Sequence, residues 1–298
     1  MALTGRILIT GSKGQLGRDL VVTFSPRCEV TGVDIEELDI RRRDAVLEAV
    51  RTIRPQILIH SAAYTDVDGC EDNRTLAFDV NAEGTRNLAL ACREVGAAMV
   101  YYSTDYVFRG DKDSPYTEED LPDAKTVYGA SKLAGERAAS EILDELVILR
   151  IAWVYGYHGK NFVKTMLRLG REQAEASRAG RDVRPLKVVD DQVGNPTWTM
   201  EIVRQTETVL SHRLRGIFHA TSEGEVSWYG FARKIFETVR MDVQVVPCTT
   251  AEYPRPAPRP ARSSLENTRL KQVGANVMRP WADALADFIT AFGKDLIE

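Results

Sequence analysis

A tyrosine and a lysine form the strongest chemical pattern in the chain. Tyr128 and Lys132 make a Y-x-x-x-K sequence, and the residues that follow favour a helix. A spacing of four residues places both side chains on one helix face. A nearby ammonium favours the phenolate of a tyrosine, whose unperturbed pKa is about 10, so Tyr128 can exchange a proton near neutral pH. Because the same pattern also occurs on exposed helices, its meaning depends on the groups that accompany it.

Two hydroxyl residues end a predicted strand upstream of this pair. Ser103 and Thr104 close the apolar segment that begins at Ala98. Catalytic groups of open α/β sheets gather at the carboxyl ends of the strands. A hydroxyl there can donate a hydrogen bond to a carbonyl oxygen on which negative charge builds. We predict that Thr104 is this donor, with Ser103 as the alternative.

A glycine-rich turn near the amino terminus predicts a dinucleotide site. The spacing is G-x-x-G-x-x-G, directly after the first predicted strand and at the start of a helix. Gly11 permits the tight turn, Gly14 lets backbone N–H groups approach a pyrophosphate, and Gly17 lets helix and strand pack closely. The partial positive charge of the helix N-terminus then faces the phosphates. The predicted contacts are Gly11, Lys13, Gly14, Gln15, Leu16 and Gly17.

The ends of the next two strands supply further predicted cofactor contacts. Asp34 follows the glycines by about 20 residues, where a carboxylate can accept a hydrogen bond from a ribose 2′-hydroxyl. This position favours NADH, whereas Lys13, Arg41 and Arg42 leave NADPH open. Small residues after the third strand would let the dinucleotide lie against the sheet edge. The predicted cofactor contacts at these strand ends are Asp39, Ile40, Ala62, Ala63 and Tyr64. Tyr128 and Lys132 are predicted to contact the cofactor as well, and Lys132 can hold the nicotinamide ribose.

Composition and charge exclude several classes of protein. The 298 residues are 44% hydrophobic and 28% charged, which is typical of a folded cytosolic protein. A formal net charge of −4 argues against nonspecific nucleic-acid binding. The four cysteines include no C-x-x-C pair, so we expect reduced thiols and no structural zinc. We see neither a secretory signal nor an apolar run long enough to span a membrane, and we expect a cytoplasmic protein.

Alternating apolar strands and helices predict the fold of the first half. The pattern predicts an α/β fold with a doubly wound parallel sheet of the Rossmann type, because strands that alternate with helices are joined by right-handed crossovers. The predicted strands are 6–10, 29–34, 56–60, 98–103 and 146–151. The predicted helices are 15–25, 42–54, about 75–95 and 131–143.

The sequence texture changes after Val154. We expect a dinucleotide-binding domain over residues 1–154 and, over 155–298, a smaller, less regular C-terminal lobe that mainly binds substrate. Helices near 161–171 and 200–210 are expected to join the first domain. We predict a charged mobile loop over 174–184 and a C-terminal helix over 280–292.

Six segments together resemble a known family. The chain is similar to the extended short-chain dehydrogenase/reductase superfamily and, within it, to the dTDP-4-dehydrorhamnose reductases. The similarity extends in order over nearly the whole chain. The segments are Ser103–Phe108, Val127–Glu136, Arg150–Gly156, Asn161–Leu169, Asp190–Thr197 and Arg259–Leu265.

The resemblance implies an activity and roles for particular residues. The activity is NAD(P)H-dependent reduction of the C4 keto group of dTDP-4-dehydro-L-rhamnose, with Thr104, Tyr128 and Lys132 as the catalytic set. Asn81 would support the cofactor region. Arg259, together with Arg262, would approach the diphosphate. The residues that the resemblance places around the substrate are Val67, Asp105, Tyr106, Trp153 and Arg259.

The chain departs from the family pattern in one segment. Family members often carry Asp-Lys-Ala-Glu after the third strand, whereas this chain has Asp68-Gly69-Cys70-Glu71, which puts local substrate contacts in question. Some members bind Mg²⁺ through acidic residues at a dimer interface, and Asp19 and Glu201 are the positions that could correspond. We expect no metal site and leave a homodimer open.

Three other classes of function remain open from the sequence: a dehydratase or epimerase, a different ketoreductase, and a noncatalytic subunit. A sugar-nucleotide dehydratase of this superfamily typically has Thr-Asp-Glu, but Thr104-Asp105 is followed here by Tyr106, so the second acid is missing; an epimerase is a related alternative. A reductase of another nucleotide-linked 4-keto-deoxysugar has no distinguishing residue that we can identify. A noncatalytic regulatory subunit of a methionine adenosyltransferase would bind the dinucleotide without turning it over.

Overall fold

A computed structural model describes residues 4–297 of the chain. The strands are β1 (Arg6–Thr10), β2 (Glu29–Val33), β3 (Ile57–His60), β4 (Ala98–Thr104), β5 (Leu146–Ile151), β6 (Val154–Tyr155), β7 (Leu186–Val189), β8 (Val193–Gly194), β9 (Thr197–Trp198), β10 (Gly216–His219), β11 (Val226–Ser227) and β12 (Val245–Cys248). The helices are α1 (Gln15–Phe24), α2 (Arg43–Ile53), α3 (Val67–Asp72), α4 (Arg74–Phe78), α5 (Thr85–Val95), α6 (Val127–Ser140), α7 (Phe162–Arg178), α8 (Thr199–Ser211), α9 (Trp228–Thr238), α10 (Thr268–Gln272) and α11 (Trp281–Ile297).

A six-stranded parallel sheet forms the centre of the described residues. Its strand order is β10-β5-β4-β3-β1-β2, the Rossmann-type arrangement that the sequence predicts. Helices cover both faces, so the inner strands are mainly apolar rather than alternating, whereas the edge strand β2 is partly exposed. Ile7 and Ile9 face one hydrophobic cluster, and Leu8 faces the other. The sixth strand, β10, comes from the C-terminal half and was not among the predicted strands.

The two faces of the sheet carry different helices. On one face α1 contributes Leu20 and α8 contributes Ile202, and both side chains are fully buried. On the other face α2 contributes Val50 and α5 contributes Leu88. Burial of such side chains stabilises the fold by about 1.5–3 kcal/mol each. The sheet is therefore a rigid support for residues at its carboxyl edge.

A third hydrophobic cluster belongs to the C-terminal half. Helices α7, α9 and α11 pack together around Tyr155, Phe231 and Phe288, which are at most 1% exposed. Of the two segments that were expected to join the first domain, α8 packs against helix α1 and α7 packs within this third cluster.

Local predictions fail where tertiary contacts override propensity. The long helix predicted for 75–95 is present as a continuous helical segment from Arg74 to Val95, but a π-helical stretch, Asp79–Gly84, lies between α4 and α5. The loop predicted from 174 is wrong at its start, since α7 continues to Arg178 and Gln173 Nε2 donates to two backbone carbonyls that hold the helix end. Helix α6 begins at Val127 rather than at 131, which places Tyr128 in its first turn.

Candidate active site

A cavity of about 770 Å³ opens at the carboxyl edge of the sheet. Residues after β1, β2, β3, β4 and β5 line one side, and residues of the C-terminal half line the other. Its volume lies within the usual range for small-molecule and cofactor sites. The loops at this edge therefore bring the separate sequence motifs to one place.

The glycine turn forms one end of the cavity. Gly11 has a φ of +70°, and a Cβ there would lie 2.6 Å from the backbone nitrogen of Ala62. A Cβ on Gly17 would lie 2.0 Å from the carbonyl oxygen of Gly11, so Gly17 sits beneath the turn and permits close packing. Among the described residues no side chain caps α1 at Gly14, which leaves its first amide N–H groups available to a phosphate. Gly11, Gly14, Gln15 and Leu16 reach the cavity wall.

Asp34 and Lys13 occupy different surroundings. Asp34 lies on the cavity wall, and its carboxylate accepts from the backbone nitrogens of Lys13 (3.0 Å) and Ile35 (2.8 Å). The Lys13 ammonium lies off the wall and donates to Glu37 (2.7 Å) and Glu36 (3.1 Å). These carboxylates raise the pKa of Lys13. The structure therefore brings Asp34 to the cavity but directs the Lys13 side chain elsewhere.

The segment after β2 lies beside the glycine turn and continues the same end of the cavity. Asp39, Ile40 and Arg41 all line it. The Arg41 guanidinium is 2.7 Å from the Asp39 carboxylate, and its hydrogen bonds lower the pKa of Asp39. Arg41 is the predicted cation that the structure places on the wall.

Asn81 supports the wall from behind. It is 1% exposed, its Oδ1 accepts from the Tyr64 nitrogen (2.8 Å), and its Nδ2 donates to the Tyr64 carbonyl (3.0 Å) and to Ser131 Oγ (3.0 Å). Ala62, Ala63 and Tyr64 themselves line the cavity. Asn81 thus ties the strand end of β3 to α6.

Close packing of α6 positions Tyr128. The Thr126 hydroxyl caps the helix by accepting from the Gly129 nitrogen at 3.0 Å. A Cβ on Gly129 would lie 2.0 Å from the Tyr106 carbonyl oxygen, so only glycine permits this approach. The Tyr128 ring lies edge-on to that of Tyr106, with centroids 5.7 Å apart. Burial raises the pKa of Tyr128, and a hydrogen bond with the Thr104 side chain opposes this shift.

Lys132 lies beneath Tyr128 on the same helix face. The side chain is buried, its ammonium donates to the Tyr102 carbonyl at 2.7 Å, and it lies 4.1 Å from the Tyr101 ring centroid. Burial lowers the pKa of Lys132 to about 7, while the nearby carboxylate of Glu136 opposes this shift. The Tyr102 carbonyl and the Tyr101 ring thus fix the position of the Lys132 amine.

Thr104 and Asp105 form a buried hydroxyl–carboxyl pair. Thr104 Oγ1 donates to Asp105 Oδ1 at 2.9 Å and accepts from the Tyr106 nitrogen at 3.2 Å. Asp105 Oδ2 has no well-formed hydrogen bond within residues 4–297, although Ser263 lies close enough to lower the Asp105 pKa. Burial is the larger effect and raises the pKa of Asp105 to about 6.

The residues predicted around the substrate line the opposite end of the cavity. Val67, Asp105, Tyr106, Trp153 and Arg259 are all on its wall. Arg259 Nη2 is 2.8 Å from Asp68 Oδ2 and its side chain is 18% exposed. Arg262 instead forms an ion pair with Glu225 away from the wall.

Five residues of the C-terminal half were missed by sequence reasoning. Lys160, Gln192, Trp228, Pro260 and Ser263 line the cavity together with the predicted residues. Ser263 and Gln192 lie within segments that carried the family resemblance, which was a usable signal. Trp228 begins α9 without any recognisable motif, so only the tertiary structure brings it to the site.

Asp19 and Glu201, the acidic residues that could correspond to an Mg²⁺ site, form hydrogen bonds or ion pairs with other side chains of the protein. Asp19 Oδ2 accepts from Thr199 Oγ1 at 2.5 Å, and the buried Glu201 pairs with Arg279 (2.7 Å) and Arg204 (2.6 Å). Within residues 4–297 no group of three or more His, Cys, Asp or Glu side chains is arranged to hold a metal ion. In the same range no helix is both long and apolar enough to cross a membrane.

A glycine turn at a helix N-terminus, a Thr-Tyr-Lys set and a doubly wound sheet define an extended short-chain dehydrogenase/reductase. Residues 5–293 match the family described as RmlD substrate binding domain. The chain belongs to this family of dTDP-4-dehydrorhamnose reductases.

Three similar proteins illustrate the relationship. A dTDP-4-dehydrorhamnose reductase of Streptomyces griseus is 41% identical over 294 residues, which cover 96% of this chain and 93% of that protein. The structure of a Bacillus anthracis dTDP-4-dehydrorhamnose reductase in complex with NADP has a TM-score of 0.91 at 40% identity and covers 97% of this chain and 100% of that chain. A dTDP-4-keto-6-deoxy-D-glucose reductase of Streptomyces niveus is 36% identical over 98% of this chain and 99% of that protein.

Proposed function

We propose that this protein reduces the C4 keto group of dTDP-4-dehydro-L-rhamnose to give dTDP-L-rhamnose, with NADPH or NADH as the hydride donor. One observation carries the proposal: Thr104, Tyr128 and Lys132 meet on the wall of a cavity whose other end is the glycine turn of α1. A dinucleotide that lies along this wall brings its nicotinamide to the hydroxyl groups. The function named for the Streptomyces griseus relative agrees with this chemistry.

The residues of the cavity fit a dinucleotide. Gly11 and Gly17 allow the close-packed turn, because a Cβ on either residue would clash with backbone atoms, and the N-terminus of α1 offers amide N–H groups to the pyrophosphate. Asp34 and Arg41 line the cavity, and we propose that they contact the adenosine ribose. The bound cofactor would supply a hydride to the carbonyl carbon. We propose that the predicted cofactor residues on the wall contact it and that Gly17 and Asn81 support it.

The protein groups would stabilise charge and supply the proton. As negative charge develops on the C4 oxygen, the Tyr128 hydroxyl donates a hydrogen bond and then its proton. The Thr104 hydroxyl donates to the same oxygen once it turns away from Asp105 Oδ1. The ammonium of Lys132 stabilises the resulting phenolate. General-acid assistance of this kind contributes about 10²- to 10⁴-fold to the rate.

We propose that the two halves of the chain divide the binding work. Residues 1–154 would bind the dinucleotide, and residues 155–298 would mainly bind the sugar nucleotide. The contribution of Lys160, Gln192 and Trp228 to the cavity wall supports this division. We also propose that Arg259 approaches the diphosphate, since it lies on the wall at the substrate end. A cytoplasmic location and a homodimer stay predictions.

The Tyr128→Phe variant tests the catalytic assignment. We expect kcat to fall by about 10²- to 10⁴-fold because the proton donor is lost, while the Kd for NADPH changes little. Absorbance of the reduced nicotinamide gives the rate, and fluorescence titration gives the Kd. Full activity in this variant would remove the assignment of Tyr128.

A panel of 4-keto sugar nucleotides tests the substrate and the reaction class. Net consumption of NADPH identifies a reductase, whereas product without net cofactor consumption identifies an epimerase or dehydratase. The second candidate substrate is dTDP-4-keto-6-deoxy-D-glucose, because the Streptomyces niveus relative is named as a reductase of this sugar nucleotide. A higher kcat/KM for that sugar than for dTDP-4-dehydro-L-rhamnose would change the proposed substrate but not the class of reaction.

A further inference from the structure

Trp153 has a backbone conformation that a bulky residue rarely adopts. Its φ is +46°, in the left-handed region, although it is not a glycine. It follows β5 by two residues and lies on the wall of the cavity. Such a conformation costs about 1–3 kcal/mol and persists only where the surroundings impose it. The contacts of the Trp153 ring must therefore hold it in place.

Trp228 provides one of these contacts. The rings of Trp153 and Trp228 are stacked, with centroids 3.5 Å apart and planes 3° from parallel. Aromatic rings left to themselves prefer offset or edge-to-face arrangements over this face-to-face geometry. Phe162 packs against the Trp228 ring at 4.6 Å between centroids and helps to hold it. The stack is thus imposed by the packing of the C-terminal half.

Gly194 supplies the space that the Trp153 ring needs. A Cβ on Gly194 would lie 2.4 Å from Cε2 and 2.5 Å from Nε1 of Trp153. Real side chains do not approach so closely, so any larger residue at 194 would displace the ring. Gly194 has no positive φ that would demand glycine for conformational reasons. Its requirement comes from the contact with Trp153.

We propose that Trp228 and Gly194 are positioning residues that hold Trp153 as a preformed wall for the sugar, and so determine which 4-keto sugar nucleotide is accepted. The inference rests on the proposed function and adds a determinant of its specificity. A flat apolar wall suits the C–H face and methyl group of a 6-deoxy sugar, while hydroxyl contacts come from polar groups such as Asp105 and Gln192. Because the wall is set before binding, the substrate does not bear the cost of ordering it.

Two substitutions test the wall from its two sides. Trp228→Leu removes the stacked ring but keeps apolar bulk, and Gly194→Ala places a methyl group where the ring lies. We expect the KM for the keto sugar nucleotide to rise roughly two- to tenfold in each, the range set by stacking energies. We expect the KM for NADPH to stay unchanged. Trp228→Phe, which keeps an aromatic ring at this position, should bind the sugar nucleotide nearly as tightly as the wild type and more tightly than Trp228→Leu.

Trp281→Phe is the matched control. Trp281 packs edge-on against Phe231 in the same half of the chain, with centroids 5.8 Å apart, and lies off the cavity wall. Circular dichroism reports the stack directly, because two stacked indoles give an exciton couplet. We expect the couplet in the wild type and in Trp281→Phe, and its loss in Trp228→Leu.

Several outcomes would overturn the inference. They are the absence of the couplet from the wild type, an unchanged sugar KM in Trp228→Leu, and an equal rise in Trp281→Phe. If the wild type reduces no 4-keto sugar nucleotide, the proposed function fails by itself. The inference is then decided by calorimetric binding of dTDP-glucose, where weaker binding by Trp228→Leu than by Trp281→Phe supports it and equal binding overturns it.

Discussion

Asp105→Asn is expected to stabilise the protein at neutral and alkaline pH. Asp105 is 4% exposed, and burial raises its pKa from 3.8 to about 6. The folded state therefore disfavours the ionised carboxyl of Asp105 by about 3 kcal/mol relative to the unfolded state. Asparagine has nearly the same shape and carries no charge. Its amide adds one buried donor, which reduces the expected gain to about 2 kcal/mol.

The sign of the pH dependence follows from the direction of the shift. Because the folded-state pKa lies above the unfolded value, the folded protein binds this proton more tightly. The associated stability is fully present below about pH 4 and is lost as the pH rises through about 6. The stability difference between Asp105→Asn and the wild type should therefore grow over this window and level off above it.

Urea unfolding of both proteins between about pH 4 and 8 measures this difference. Other titrating groups are common to both proteins and cancel. Asp113→Asn, at an exposed position, is the matched control and should show no such trend. A pH-independent difference, or an Asp105→Asn protein that is less stable at pH 8, would refute the reasoning. We expect kcat/KM to fall in the stabilised variant, since Asp105 lines the cavity.

Two further substitutions test the cofactor end and the support of α6. Arg41→Ala should lower the ratio of kcat/KM for NADPH to kcat/KM for NADH about five- to tenfold, because Arg41 lines the cavity. The control variant Arg42→Ala should leave this ratio unchanged. The same ratio in both variants would contradict a contact between Arg41 and the 2′-phosphate. Arg150→Met should lower the free energy of unfolding by about 3–5 kcal/mol, because it leaves the buried Glu136 without its partner, 2.7 Å away. The double variant Arg150→Met/Glu136→Met should recover much of the lost free energy of unfolding, as measured with urea. A loss of less than about 1 kcal/mol in Arg150→Met alone would show that the ion pair is not desolvated.

Motifs that combine local spacing with a defined strand or helix end were readable from the sequence. The glycine turn, Thr104 and the Tyr128–Lys132 pair needed only the period of a helix and the order of the strands. The buried strands were recognisable because helices cover both faces of a parallel sheet and leave no polar alternation. The sixth strand, β10, escaped prediction because its partner β5 lies about 70 residues earlier in the chain.

The opposite side of the cavity could not be read in this way. Trp228 reaches the wall through the packing of α9 and carries no motif of its own. The Lys13 side chain, which the turn motif placed in the site, is drawn away by Glu36 and Glu37. Neither outcome depends on residues close enough in sequence to form a pattern.

Local sequence determined the chemistry of this protein, because a turn, a strand end and one helix face each depend on only a few neighbouring residues. Tertiary structure alone decided the burial that raises the Asp105 pKa and the stack that holds Trp153. Both arise from contacts between segments distant in the chain, and their free energies depend on the final packing.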